Sequence, residues 1–205
     1  MRFQNIIFDF DMTLVDTSRG SAVCYEKAIT AAGGQFCLYD LTKYMGEFLD
    51  LTYLRIKDPV IEYKEFERIF YHYSHKYMAS MSVLYDDTLK VLKTLSKTKH
   101  LSIVTNKDRK CVEQIMHFHN IGRELFEIIL CCDDVNLRKP HPEALIKCMN
   151  AISCKKNECV YVGDSITDVQ FANNAGIECY RINRNLTKNL QQKEIRELSE
   201  LLWLI

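Results

Sequence analysis

Short apolar runs rich in β-branched and aromatic residues recur at Phe3 to Phe8, Leu101 to Thr105, Glu127 to Cys132, Cys159 to Val162 and Ile177 to Ile182. Each predicts a buried strand. Between the later runs the apolar positions take a helical spacing over Asp108 to His119, Pro142 to Ala151 and Ile166 to Ala175. Strict strand–helix alternation implies a parallel sheet with helices on both faces, a doubly wound (Rossmann-like) α/β core. The first strand breaks the rhythm, because roughly ninety residues separate it from the second, far more than one crossover helix needs. That interval is rich in helix formers and aromatics, from Ser18 to Ala32 and from Pro59 to Met81, with softer linkers at Gly33-Gly34 and Met81-Ser82. It predicts a small all-helical cap over residues 18–80, inserted into a core of residues 1–17 and 81–205.

Charge narrows the partners. Lys+Arg and Asp+Glu balance at 27 each, so no long-range positive field draws nucleic acid or an anionic membrane, and an acidic ligand must be held by a local cluster. The nine cysteines contain no C-x-x-C pair, and the adjacent Cys131 and Cys132 fall in an apolar run. This suggests buried, reduced thiols and a cytoplasmic setting. The opening MRFQNIIFDFD runs into a strand without a signal-peptide pattern, and no apolar stretch is long enough to span a bilayer. The expected partner is a small molecule, with neither nucleic acid nor membrane; whether the chain is a monomer or a homodimer is not written in the pattern.

In open parallel sheets, ligands bind beyond the carboxyl ends of the strands. Polar residues gather there: Asp9, Asp11 and Thr13 after the first strand, Thr105 and Asn106 after the second, Lys139 in the loop after the third, and Gly163, Asp164, Ser165 and Asp168 after the fourth. Two carboxylates ending an apolar strand are costly unless used or neutralised, and as close like charges their titrations separate, which suits a nucleophile beside a general acid. A strand-end turn held by Asp side chains is the structural alternative. In G-D-S-I-T-D, Asp164 and Asp168 lie one helical turn apart at a helix start, where they serve either capping or hard-cation binding. Mg²⁺ would draw on Asp9 and Asp164 directly, with Asp168 either ligating or orienting a bound water. Pro140 and Pro142 restrict the loop that carries Lys139, so its ammonium is either fixed at the site or a solvated surface charge. Thr105 and Asn106 either offer a hydroxyl and an N–H to an oxyanion or cap the next helix.

The order of these groups along the chain resembles the haloacid dehalogenase-like hydrolase superfamily, whose four motifs read here as D-F-D-M-T-L-V-D-T, I-V-T-N, R-K-P-H-P-E and V-G-D-S-I-T-D. Within it the chain looks most like the phosphoglycolate phosphatase-type branch, which carries a helical cap between the first two motifs; the Tyr85 stretch and A-N-N-A-G-I also fit that branch. The resemblance implies a Mg²⁺-dependent phosphatase acting on a small phosphorylated metabolite. Asp9 is then the nucleophile, Asp11 the general acid and base, and Thr13, Thr105, Asn106 and Lys139 contact the phosphate, Thr105 and Lys139 as part of the catalytic set. The metal falls to Asp9, the Asp11 backbone carbonyl, Asp164 and Asp168. Tyr44, Gly46, Glu47 and Phe48 lie where the resemblance puts a specificity loop, with Lys43 and Arg55 nearby, although Tyr44 and Phe48 equally suit cap packing.

Two positions depart from that pattern: Met12, where Gly is usual, and Asp86-Asp87, where Pro-Gly is frequent. A phosphosugar mutase would hand the phosphoryl group to a second substrate and needs a cap acid/base; a catalytically silent phosphate-binding protein is the non-enzyme rival. A dehalogenase proper would have no use for a proton donor at Asp11. A receiver domain would carry its phosphorylated Asp on a central strand opposite an acidic pair, which is not the order found here.

Overall fold

The computed structural model describes residues 3–45, 49–184 and 193–205. In chain order the strands are β1 (Asn5–Phe8), β2 (Val15–Asp16), β3 (Val83–Leu84), β4 (His100–Val104), β5 (Ile128–Leu130), β6 (Cys159–Gly163), β7 (Glu178–Ile182) and β8 (Glu194–Ile195). The α-helices are α1 (Ser18–Ala31), α2 (Leu41–Met45), α3 (Leu49–Leu54), α4 (Tyr63–Met81), α5 (Thr88–Leu95), α6 (Arg109–Phe118), α7 (Glu143–Ala151), α8 (Ile166–Ala175) and α9 (Leu201–Leu204). The chain divides into two compact units, Met1–Val15 with Leu84–Ile205, and Asp16–Val83.

The first unit is a parallel sheet in the order β5-β4-β1-β6-β7-β8. Strand β1 is central, with Asn5 opposite both His100 and Cys159 and Phe8 opposite both Ile103 and Val162. All four of its residues are buried, as expected for a strand covered on both faces. Alternation sends Ile7 and Tyr161 to one face, where they pack with Leu145 and Cys148 of α7 and Phe171 and Ala172 of α8. The chain runs from β1 outward through β4 to β5, then returns to β6 on the other side of β1. The switch point therefore lies between the ends of β1 and β6, where a doubly wound sheet opens its ligand crevice. Local chemistry sets the helices there. Asp108 caps α6 through the Cys111 amide (3.0 Å), Ser165 and Asp168 form a reciprocal capping box on α8, and Gly176 ends α8 in the left-handed region (φ 75°).

The second unit buries Tyr25, Ala28 and Ile29 of α1 against Phe66 of α4, with Leu41 and Leu49 from the shorter helices. The stretch rich in helix formers and aromatics opens at Pro59, whereas α4 begins at Tyr63. The cause is Asp58, held at φ 51°, which turns the chain before Pro59 and leaves Glu62 as an extended N-cap. Strands β2 and β3, where the chain passes between units, pair with each other in a two-stranded sheet.

Among the described residues no helix is long and apolar enough to cross a membrane. The expectation of buried reduced thiols needs two corrections. Cys37 is exposed, because it lies in the polar connection after α1, and the sulfurs of Cys154 and Cys159 meet, their Cα atoms 7.0 Å apart at the outer limit of a disulfide's span. The remaining six cysteines are buried and take part in no disulfide.

Gly20 lets α1 and α4 approach closely: a Cβ there would stand 2.6 Å from Met78 Sδ and 3.1 Å from Met78 Cα. Gly20→Leu should therefore destabilise the protein by about 2 kcal/mol, typical of overpacking, as read by chemical denaturation. Unchanged stability would show that the helices yield there at no cost.

Candidate active site

Strand β1 delivers Asp9 to the switch point, its amide bonded to the Val162 carbonyl (2.8 Å). The chain then turns sharply: Met12 N–H donates to Val15 O (2.7 Å) and Leu14 N–H to Phe10 O (2.9 Å). Met12 adopts φ 57°, the left-handed region where glycine is at ease and a side chain is strained. This gives the departure from the family's Gly a backbone meaning: the turn keeps its shape with Met. Outside ties hold it, as Thr88 Oγ1 donates to Leu14 O (2.8 Å) and the Arg184 guanidinium to Thr13 O (3.2 Å). Arg184 also stacks on Tyr85 (3.6 Å) and lies 3.5 Å from Asp87, whose other oxygen accepts from the Ser199 amide. The second departure, Asp87, thus anchors the C-terminal segment.

Lys139 is the hub of the site. It is buried to 4 % exposure, and its ammonium donates to Asp9 Oδ1 (2.6 Å), Tyr161 Oη (2.5 Å) and Asp168 Oδ1 (3.1 Å). All three of its hydrogens are engaged. Its backbone is fixed too, since Lys139 N–H donates to Asn106 Oδ1 (3.0 Å). Of the two sequence readings, surface charge or fixed ammonium, the geometry selects the second. Asp168 has both oxygens engaged: Oδ1 by Lys139 and Tyr161, Oδ2 by the Ser165 hydroxyl (2.6 Å) and amide (3.1 Å).

One carboxylate oxygen from each of Asp9, Asp164 and Asp168 lies within 4.8 Å of the others. Thr13, fully buried, directs its hydroxyl to Asp164 Oδ1 at 3.4 Å. Thr105 Oγ1 accepts from the Lys107 amide (3.2 Å), and its own hydrogen makes no bond among the described residues. Asp11 points elsewhere, 3.0 Å from the Lys107 ammonium. The structure therefore gathers Asp9, Lys139, Asp164 and Asp168, with Thr13 against Asp164 and Asn106 behind the Lys139 amide, while the Thr105 hydroxyl accepts from the Lys107 amide instead. Tyr44 of the helical unit packs against Tyr25 (5.4 Å) and Phe36 (5.9 Å), Arg55 is exposed after α3, and Gly46, Glu47 and Phe48 lie outside the described residues, as does the Lys43 side chain.

Sequence reasoning missed Tyr161 and Lys107. Tyr161 sits in V-Y-V, indistinguishable from core, yet its hydroxyl joins Lys139 and Asp168 and lies 3.1 Å from the Val104 carbonyl. Burial, then the charge of Asp168, holds its proton far above the usual tyrosine range. Lys107 directly follows I-V-T-N, and a survey of strand ends carried one residue further would have met it.

The charges conflict. Burial raises Asp9 to about 7 against the pull of Lys139, with Asp168 and Asp11 adding to the rise. Burial likewise raises Asp164 to about 8, helped by Asp9 and Asp168. For Asp168 burial works upward too, but Lys139 and the Ser165 bonds outweigh it and hold the carboxyl below its ordinary value. Two carboxyls short of positive charge, converging with a third, make a hard-oxygen set that suits a divalent cation.

An α/β sheet whose switch point carries an acidic, lysine-centred cluster is the frame of a hydrolase core. Residues 6–182 match the model of the haloacid dehalogenase-like hydrolase family, and the chain belongs to it. Among curated relatives, pyrophosphatase PpaX of Bacillus cereus (strain ATCC 10987 / NRS 248) is 27 % identical over 188 residues, 91 % of this chain and 86 % of that protein. Among solved structures, a haloacid dehalogenase-like family hydrolase from Streptococcus pneumoniae superposes with TM-score 0.83 at 20 % identity, covering 98 % of each chain. CbbY from Rhodobacter sphaeroides, in complex with phosphate, superposes with TM-score 0.81 at 17 % identity, covering 97 % of this chain and 96 % of that one.

Two outcomes follow. A folded carboxyl raised above its unfolded value favours the protonated state, so folding loses stability as pH climbs from the unfolded value toward the folded one. With Asp9 near 7 and Asp164 near 8, the metal-free protein should melt at progressively lower temperature from pH 5 to 8.5, and saturating Mg²⁺ should remove most of that fall. Asp168, depressed, acts only at lower pH. A flat metal-free profile would contradict the charge conflict. Separately, a Cβ on Gly163 would stand 2.4 Å from Asp168 Cγ, so Gly163→Ala should cost about 2 kcal/mol and weaken cation binding as read by calorimetry.

Proposed function

We propose that the protein is a magnesium-dependent phosphatase that hydrolyses a small phosphorylated metabolite through an aspartyl-phosphate on Asp9. The single observation that carries this reading is Asp9 itself: a buried carboxylate at the switch point, held 2.6 Å from the Lys139 ammonium and within 4.8 Å of two further carboxylates. Membership of a hydrolase family, a curated relative named as a pyrophosphatase and a structural neighbour holding phosphate all agree with it.

Lys139 steers one Asp9 oxygen and leaves the other to attack phosphorus in line, breaking the bond to the leaving oxygen. Asp11 gives that oxygen its proton and, then ionised, takes a proton from the water that cleaves the acyl phosphate. The Thr105 hydroxyl donates to a phosphoryl oxygen, while Asn106 holds the Lys139 loop. Asp9, the Asp11 carbonyl and Asp164 would hold the magnesium. Asp168, with both oxygens already engaged, acts through a bound water and as the counter-charge of Lys139. Bound there, magnesium supplies the positive charge that lets an anionic phosphate approach anionic carboxylates. Substrate choice would reside in the helical unit, residues 16–83. A cytoplasmic setting accords with the buried cysteines that form no disulfide.

Phosphate release from an aryl phosphate and a panel of phosphorylated metabolites is the test. Turnover should require Mg²⁺, stop on chelation and fall at least about a thousandfold in Asp9→Asn. Phosphorylation of Asp9 by a sugar bisphosphate without phosphate release would overturn hydrolysis in favour of transfer.

A further inference from the structure

The Lys139 ammonium gives two of its three hydrogens to carboxylates, those of Asp9 and Asp168. The third goes to the Tyr161 hydroxyl at 2.5 Å, a group with no part in the chemistry proposed above.

Tyr161 is itself firmly held. Strand β6 sets it in register with Ile7 of β1 and Cys179 of β7, and its ring, fully buried, meets Phe171 of α8 edge-on at 5.3 Å. Its hydroxyl lies 3.1 Å from the Val104 carbonyl on β4, so it links the two strands that flank β1, the strand leading to Asp9. With one lone pair taken by Lys139, the hydroxyl hydrogen is directed to Val104 O or, at the same distance, to Asp168 Oδ1. The oxygen that faces Lys139 is therefore a fixed point anchored in the sheet rather than a side-chain tip that follows the ammonium.

A fixed neutral acceptor does what a further carboxylate would not. It takes one hydrogen without drawing positive charge away from Asp9 and Asp168, and three acceptors in set directions leave the ammonium no rotation. Without the hydroxyl a buried N–H loses its partner, a state costly enough to drive the ammonium toward another acceptor. Any such movement disturbs the 2.6 Å bond that orients Asp9. We propose that Tyr161 is a positioning residue, whose hydroxyl fixes the Lys139 ammonium and through it the direction in which Asp9 presents its attacking oxygen.

This inference rests on the phosphatase reading for its kinetic consequence, and Tyr161→Phe, which keeps the ring and removes the hydroxyl, tests both the hold and the consequence. Because Tyr161 is fully buried and meets no substrate, kcat should fall at least about tenfold while KM stays within about twofold. A buried ammonium with every hydrogen bonded exchanges slowly enough with water to be seen in a proton–nitrogen correlation spectrum of the metal-free protein, and the signal absent from Lys139→Arg is that of Lys139. It should be present in the wild type and lost in Tyr161→Phe. A signal that persists unchanged, an unchanged kcat, or a KM that rises as much as kcat falls overturns the proposal. Absence of turnover by the wild type overturns the phosphatase reading and the kinetic role with it, a result told apart from the others by a signal that still disappears in Tyr161→Phe. If Tyr161→Phe does not fold, cross-relaxation in the wild type between the Lys139 ammonium and the Tyr161 ring hydrogens takes its place: its presence upholds the contact and its absence is the overturning result.

Discussion

Three carboxylates converge on a space that holds one ammonium, and the rest of the site is arranged around that imbalance. A single lysine cannot neutralise Asp9, Asp164 and Asp168 in a buried setting, so two of them resist ionisation while the third is stabilised by the bonds it monopolises. The result is a site that is electrically incomplete. A divalent cation would supply the missing charge, and in the phosphatase reading it is only then that an anionic phosphate would be tolerated among the acids.

The fold makes this crowding affordable by dividing labour among strand ends. Strand β1 supplies Asp9, β4 supplies Thr105, and β6 supplies Tyr161 and leads into Asp164. Their parallel register brings these groups to one edge without long loops. Rigid supports stand behind each functional atom: Asn106 behind the Lys139 amide, Ser165 behind Asp168, and Thr88 and Arg184 behind the Asp9–Val15 turn. Ties of this kind hold Met12 in a backbone conformation it would not choose.

The sheet was legible because its central strands are buried on both faces and read as unbroken apolar runs; Asn5–Phe8 and Cys159–Gly163 are the clearest. Strands of two residues, such as Val15–Asp16, Val83–Leu84 and Glu194–Ile195, are shorter than any period and left no signal. The acids were legible because charge at the end of an apolar run is conspicuous, whereas Lys139, in a loop nine residues past β5, read equally as a surface charge until the resemblance and its burial singled it out. Tyr161 was not, because a tyrosine whose ring packs on Phe171 looks like core and only the third dimension reveals what its hydroxyl meets. The start of α4 carries no clear mark for a related reason: Pro59 is a good first helical residue, and nothing in one dimension shows that Asp58 has already turned the chain.

The paired strands β2 and β3 place the two ends of the Asp16–Val83 segment side by side. A segment entered and left at neighbouring points is a cassette: its length and content can change without altering the register of the sheet from which it departs. One catalytic floor can thereby carry many different inserts over evolutionary time, and the same junction is the natural splice point for exchanging this insert for another in the laboratory.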